Sequence, residues 1–205
     1  MADVKRLVDL VGAGTGLLVS LPLLLIIGLW VRSDSPGPVL FRQIRIGRHG
    51  RPFAILKFRT MTHDSSGAVQ ITATNDSRIT GAGHWLRRTK LDELPQLANV
   101  LMGQMSLVGP RPEVPRYVAM YPPEIREQVL SVRPGLTDAA SIEFRDEGAI
   151  LARVTDPESV YVNDILPRKL AMHVQYVRDN SIAGDFRIMF QTLTAVLQRR
   201  MPHSH

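Results

Sequence analysis

Two adjacent carboxylates stand at Asp92 and Glu93, and three cations, Arg87, Arg88 and Lys90, immediately precede them. Cations this close keep carboxylates ionised and can hold an anionic substrate against them. An ionised carboxylate can then serve as a nucleophile or as an oxygen ligand for a hard metal ion. The competing reading is local, because acids in the first turn of a helix bind orphan N–H groups and offset the helix dipole. A second constellation is Gly109-Pro110-Arg111-Pro112. Prolines on both sides of an arginine stiffen the backbone, so less entropy is lost when the guanidinium grips a phosphate. The alternative is an ordinary proline-rich turn with a solvated arginine. A third is Lys57-Phe58-Arg59-Thr60-Met61. Strand alternation would put Lys57 and Arg59 on one face and Phe58 on the other, against the plainer reading of a solvated strand face.

Other chemistries are disfavoured. The 205 residues contain no cysteine, which removes disulfides, cysteine-ligated zinc, iron–sulfur clusters and thiol catalysis. There is no phosphate-loop motif, no His-Glu-x-x-His and no Gly-x-Ser-x-Gly. The histidines at 49, 63, 84, 173, 203 and 205 show no ligand spacing apart from the terminal pair. That pair, in Pro202-His203-Ser204-His205, is expected to be a frayed end and not a metal site. Hydrophobic content of 44% with 21% charged residues excludes a disordered chain. Aromatic content of 6% is thin for stacking nucleic-acid bases.

The net charge of +6 is localised. Residues 1–35 balance to zero, residues 36–90 carry ten Lys and Arg against Asp64 and Asp76, and residues 91–205 are slightly acidic. A basic block of this kind points to an anionic partner: nucleic acid, lipid headgroups or a phosphorylated small molecule.

The elements that must position these residues begin with an uncharged run over 10–31. As a helix it would be about 33 Å long, enough to cross a hydrocarbon core of roughly 30 Å. No small-residue cleavage site follows Trp30, so a signal peptide is set aside. Pro22 near the middle costs about 3 kcal/mol or bends the helix, with the Ser20 hydroxyl available for a freed carbonyl. Lys5 and Arg6 precede the run, while Arg32 and the basic block follow it, so both flanks have cytoplasmic character. A re-entrant helix, bending near Ser20-Leu21-Pro22 and returning to the same side, fits both facts. Gly12 and Gly16 suit a small-residue packing face in lipid better than a dinucleotide loop.

Beyond a turn cluster at 33–38, residues 39–46 and 53–58 predict a β-hairpin. Its outer positions would be basic: Arg42, Arg45, Arg48, Arg51, Lys57 and Arg59. Residues 62–82 suggest a loop. A helix is expected over 92–102, with Pro95 in its first turn, followed by a rigid loop over 105–115. Further helices are expected near 122–131, 146–153 and 167–180, with a turn at 133–135 and a break at Gly184. The last helix spaces Phe186, Met189, Phe190, Leu193 and Leu197 as one apolar stripe, suited to a core or to a membrane surface. The fold class is α+β, mostly helical. It comprises an N-terminal re-entrant membrane helix over 1–35 and a catalytic domain over 36–205 with a short hairpin and an amphipathic C-terminal helix.

These motifs, in this order, resemble the bacterial sugar transferase family, the small monotopic phosphoglycosyl transferases. The resemblance covers almost the whole chain. It includes the apolar segment with its Pro22 break, the segment 57–61, Leu91-Asp92-Glu93-Leu94-Pro95-Gln96-Leu97 and residues 105–112. It continues through Arg133-Pro134-Gly135-Leu136-Thr137 and ends with Asp185. It implies that a nucleotide-activated sugar, usually UDP-linked, binds with Mg²⁺. The aspartate matching Asp92 attacks the phosphorus nearest the sugar and releases UMP. A polyprenol phosphate then resolves the phospho-aspartyl intermediate to polyprenyl-diphosphate-sugar. Asp92 and Glu93 would share the metal or its waters. Arg111 matches the phosphate-gripping arginine, Lys57, Arg87 and Arg145 sit at matching basic positions, and Asp185 matches an acidic residue near the active site. With Arg59 from the same motif, these make up the expected substrate-binding set. The implied location is the cytoplasmic face of the bacterial inner membrane, with phospholipids as neighbours, no nucleic acid, and room for a homodimer. Many family members read Gly-Trp-Ala-Gln-Val-Asn/Ser-Gly-Arg after the threonine. Residues 138–145 here read Asp-Ala-Ala-Ser-Ile-Glu-Phe-Arg, which keeps the arginine and changes the middle, so the donor sugar cannot be copied from other members. Two readings compete: a non-catalytic anchor that binds anionic lipid or nucleic acid, and a membrane phosphohydrolase.

Overall fold

The structure, a computed structural model of the chain, describes residues 2–62 and 76–198. Most of the expected 62–82 loop, Leu197 of the apolar stripe, and the terminal histidine pair lie outside the residues whose side chains are described.

The apolar run and its flanks form one 33-residue helix, α1 (Ala2–Asp34), with Pro22 inside it. Ser20 does not take the carbonyl that Pro22 leaves. An i→i−4 bond from residue 22 would end on Leu18, whereas Ser20 Oγ donates to Gly16 O at 2.6 Å and contacts Leu17 O at 3.4 Å. One face of α1 packs on the rest of the protein through Ala13, Ile27 and Val31. Gly12 and Gly16 do form a close-packing face, but its partners are Leu107 and Leu97 of the body, where a Cβ would crowd their side chains. The other face leaves Leu18, Val19, Leu25, Ile26 and Leu29 exposed.

Next come β1 (Leu40–Ile46) and β2 (Pro52–Phe58), the expected hairpin, joined by a 3-10 turn at Arg48–Gly50. They pair antiparallel from Leu40 opposite Phe58 to Ile46 opposite Pro52. Alternation buries Phe53 and Ile55 on one face, while Phe58, on the other, packs with Ile27 and Val31 of α1. Asn99 docks the hairpin by accepting from Leu56 N–H at 3.0 Å and donating to Ala54 O at 2.8 Å. Not every basic position faces outward. Arg59 follows the strand and is buried, because its guanidinium donates to Val31 O, Ser35 O and Pro36 O at the end of α1.

Helix α2 (Gly81–Thr89) is capped by Thr80, whose hydroxyl accepts from Gly83 N–H. The expected 92–102 helix is shorter. The acids occupy a separate 3-10 turn, Leu91–Glu93, and α3 (Gln96–Leu101) begins only after Pro95. The 105–115 loop hides a strand, β3 (Ser106–Val108), whose partner lies some thirty residues onward. Helices α4 (Pro115–Val118) and α5 (Pro123–Val129) each start with proline in the first turn. Then β4 (Gly135–Thr137) pairs parallel with β3.

The C-terminal half adds α6 (Ala139–Glu143), α7 (Glu147–Leu151), α8 (Pro157–Val160), a π turn over Tyr161–Ile165, α9 (Leu166–Asp179) and α10 (Ile182–Gln198). The break before the last helix falls at Asn180, whose ψ of 133° leaves helical geometry, so Gly184 lies inside α10. Tyr117, Val129, Leu151, Ile165 and Leu170 form one core, around α4, α5, α7 and α9. Ala13, Phe53, Ile55, Leu97, Val100 and Met105 form another, between α1, the hairpin and α3. On α10, Met189 packs inward while Phe186, Phe190 and Leu193 stay exposed.

Candidate active site

The acid pair is aimed by a sharp reversal of the chain. Lys90 ends α2 with φ 59°, in the left-handed region, and its N–H donates to Leu86 O and Arg87 O. That conformation costs a non-glycine residue roughly 1–2 kcal/mol. Glu93 N–H then donates to Lys90 O at 3.2 Å, which closes the 3-10 turn. Helix α3 has no side-chain cap, so Asp92 and Glu93 do not serve as its N-cap.

The two carboxylates meet opposite environments. Both Glu93 oxygens accept from Arg111, Oε2 from Nη1 at 3.1 Å and Oε1 from Nη2, with Lys57 Nζ 4.0 Å away. Burial opposes the Glu93 charge, but Arg111, Lys90 and Lys57 outweigh it and hold the carboxyl below the usual range. Asp92 is 7% exposed, and its buried Oδ1 has no hydrogen-bond partner among the described residues. Burial first, and the Glu93 charge second, push its pKa up to about 6, against the pull of Lys57, Lys90 and Arg87. Burial also brings Lys57 down to about 8, opposed by Glu93.

Arg111 is held from both ends. Gly135 N–H donates to Pro110 O at 2.9 Å and Gly109 N–H donates to Thr137 O at 3.1 Å, extending the β3–β4 pairing into the proline loop. The approach needs glycine, since a Cβ on Gly135 would lie 2.1 Å from Gly109 N. Asp138 Oδ2 accepts from Arg111 N–H at 2.9 Å and meets His173 Nε2 at 2.8 Å, while Oδ1 accepts from Ser141 N–H and caps α6. Burial works against the Asp138 charge, but its hydrogen bonds with His173 and Ser141 outweigh it and bring the carboxyl down to about 2.

The acids open into a cleft of about 850 Å³. Of the residues expected from sequence, Lys57, Arg87, Asp92, Glu93, Arg111 and Arg145 all line it. Two do not. Arg59 is spent on the end of α1, because the strand stops at Phe58 and the alternation does not continue. Asp185 pairs with Lys5 and accepts from Tyr176 OH at 2.8 Å, tying α10 to the start of α1 outside the cleft lining. Sequence reasoning passed over Lys169, Asp138 and His173. Asp138 carried a signal in its Asp-x-x-Ser spacing, an N-cap pattern. Ser141 and Phe144, from the segment that departs from the family pattern, face the cleft.

A Mg²⁺ ion would need oxygen ligands at the acid pair. Among the described residues no group of three or more His, Asp or Glu side chains could hold a metal. The unpartnered Asp92 Oδ1 and its acidic neighbour still fit an ion that keeps several waters and takes one or two carboxylates plus substrate phosphates.

A long apolar helix is braced against a small α+β body that holds an acid pair inside a basic cleft. The family model described as bacterial sugar transferase matches residues 1–199, and the chain belongs to that family. A UDP-glucose:undecaprenyl-phosphate glucose-1-phosphate transferase of Klebsiella pneumoniae is 39% identical over 193 residues, covering 92% of this chain and 39% of the relative. One of the same name from Caulobacter vibrioides is 38% identical, covering 94% of this chain and 69% of the relative. A UDP-N-acetylgalactosamine-undecaprenyl-phosphate N-acetylgalactosaminephosphotransferase of Aeromonas hydrophila is 33% identical, covering 96% and 44%. The chain thus spans about two fifths of the length of the Klebsiella and Aeromonas relatives.

Proposed function

We propose that this chain transfers a sugar phosphate from a UDP-sugar to undecaprenyl phosphate or a similar polyprenol phosphate, on the cytoplasmic face of the bacterial inner membrane. The observation that carries the reading is Asp92, 7% exposed on the wall of a cleft that gathers Lys57, Arg87, Arg111 and Arg145, with its enclosed Oδ1 left unpartnered. The substrate classes follow the names of the relatives. In the first half-reaction a carboxylate oxygen of Asp92 forms a bond to the phosphorus nearest the sugar. The bond from that phosphorus to the bridging oxygen breaks and UMP leaves. In the second, an oxygen of the polyprenol phosphate attacks the same phosphorus and Asp92 departs as a free carboxylate. Splitting one displacement into two uses the high reactivity of an acyl phosphate.

The cations do the electrostatic work, since phosphoryl transfer is mostly positioning and charge stabilisation. Arg111 presents a planar fork, already turned toward the acid pair by Glu93. Lys57 and Arg87 act on the acids through their charge, and Arg145 lines the same cleft with Ser141 and Phe144. Mg²⁺ would be held at the acid pair, on Asp92 Oδ1 first because Glu93 already accepts from Arg111, and would neutralise donor phosphate charge. Residues 1–35 serve as the membrane element and 36–205 as the catalytic domain. Both ends of α1 rest on one body, which supports a helix that leaves the membrane on the side it entered.

The test is a single turnover without acceptor, read by intact-protein mass. The wild-type chain with a UDP-sugar and Mg²⁺ should gain one sugar phosphate and release one UMP. Asp92→Asn should do neither, and Glu93→Gln should be severely slowed. Near-normal UMP release by Asp92→Asn would end the covalent reading.

A further inference from the structure

A second cavity, of about 160 Å³, shares no lining residue with the cleft. Its wall includes Lys5 and Arg6 of α1, Arg48 of the hairpin turn, Arg133 before β4, and Ser181 and Ile182 where α10 begins. Lys5 is neutralised by Asp185. The three arginines are not. Arg6 donates to Val100 O at 2.8 Å and Leu101 O at 3.1 Å, Arg48 Nε to Ser131 O at 2.8 Å, and Arg133 Nε to Gly103 O at 2.9 Å. Each guanidinium is therefore aimed by neutral carbonyls while its charge stays unmatched. Among the described residues no carboxylate forms an ion pair with any of the three.

Asp9 is the one acid among the lining residues, and its Oδ1 already accepts from Ser106 Oγ and Leu107 N–H, both at 2.9 Å. Burial, followed by Arg6 and Arg48, pulls Arg133 below its ordinary pKa and outweighs the opposing charge of Asp9, as expected of cations that share one field. The 17-residue α10 also begins at this cavity, with Gly184 N–H accepted by Ser181 Oγ and Asp185 offsetting the dipole in its first turn, so the arginines alone supply the unpaired positive charge. Three unmatched guanidinium groups around a cavity repel one another until an anion enters, and their planar forks suit phosphate oxygens.

The surroundings narrow the source. Lys5 and Arg6 precede the apolar run of α1, and α10 leaves Phe186, Phe190 and Leu193 exposed. We propose that Arg6, Arg48 and Arg133 form a phosphate-binding site separate from the catalytic cleft, filled by a membrane phospholipid headgroup or by a phosphate ion from solution. Only the lipid source rests on the membrane reading of α1; the site itself does not.

The experiment is native mass spectrometry of the full chain in detergent, with phosphatidylglycerol, phosphatidylcholine or inorganic phosphate added separately. The wild-type chain should retain one phosphatidylglycerol. Arg48→Gln with Arg133→Gln should weaken that binding about thirtyfold, at about 1 kcal/mol per cation near a lipid surface. Arg48→Lys with Arg133→Lys keeps the charge, loses the forks, and should fall between. Retained UMP release in each variant shows that it is folded and that the cleft is intact. One phosphate ion retained, but no lipid, would support the site with solution as its source. No retained ligand, equal retention of phosphatidylcholine and phosphatidylglycerol, or glutamine variants that bind like the wild type would overturn the proposal.

Discussion

Asp92 and Glu93 share one turn but titrate in opposite directions, and the proposed chemistry should carry that signature. Burial raises Asp92 to about 6, so its ionised form is lost as pH falls through that value. Burial lowers Lys57 to about 8, so its ammonium charge is lost as pH rises through that value. kcat/KM for UMP release without acceptor should trace a bell between the two limbs. Lys57→Arg should remove the alkaline limb, because arginine stays charged there. An alkaline limb unchanged in Lys57→Arg would take Lys57 out of this role. Arg111→Lys tests the fork. One lost charge-assisted bond costs roughly 1–3 kcal/mol, and the loss in UMP release should be equal for every accepted UDP-sugar, since all share the diphosphate. Substitutions at Ser141 and Phe144 should instead change the ranking of sugars. A changed ranking in Arg111→Lys with the best donor unharmed would reassign the loop. The types of these residues were legible in the sequence, because a basic surround and flanking prolines are local features. Their partners were not. That Glu93 is held by Arg111, while Asp92 keeps a free oxygen, depends on a chain reversal at Lys90 and a strand pair that brings residue 111 to residue 93.

At the scale of elements, Arg59 shows how a sequence pattern misleads at a strand end. The hairpin itself was readable, since branched and aromatic residues alternate on both sides of a glycine-flanked turn. The strand stops at Phe58, and Arg59 turns under α1 to collect three carbonyls. Arg59→Met should therefore cost about 3 kcal/mol, the scale of breaking buried charge-assisted bonds. The check is thermal unfolding in detergent. Arg59→Lys should recover little, because a point charge cannot reach the carbonyls of 31, 35 and 36 from one geometry. Full stability in Arg59→Met would show that the cluster does not hold α1. The parallel strands β3 and β4 were invisible for a related reason. Three residues each are too few for a periodic signal, and their pairing is a long-range contact flanked by prolines. The same pairing sets Arg111, so the least legible element is the one the site leans on.

At the scale of the whole molecule, the length of α1 and its contacts bear on topology. A helix of 33 residues is about 50 Å long, enough to cross a hydrocarbon core of roughly 30 Å. Its start is fixed to the body by Lys5 on Val108 O and by Asp9 on Ser106 and Leu107. Its end is fixed to the same body by Asp34, which accepts from Ala82 N–H, and by Arg59. Between Leu17 and Leu24, which still pack on the body, lie six residues, or about 9 Å of helix. That is too short to span. A helix crossing the bilayer while keeping both sets of contacts would carry Asp34, Arg59 and the strand ends into hydrocarbon, at several kcal/mol for each unsatisfied polar group. Both ends of α1 should therefore face the cytoplasm, with only the outward face around Leu18, Val19, Leu25 and Ile26 in lipid. Thiol labelling suits the question, because the native chain has no cysteine to mask. Asp3→Cys and Ser33→Cys replace exposed residues near the two ends. An impermeant maleimide should modify both in inverted membrane vesicles and neither in intact spheroplasts. Modification of one from each side would establish a spanning helix, and the contacts at one end of α1 would then have to be absent in the membrane.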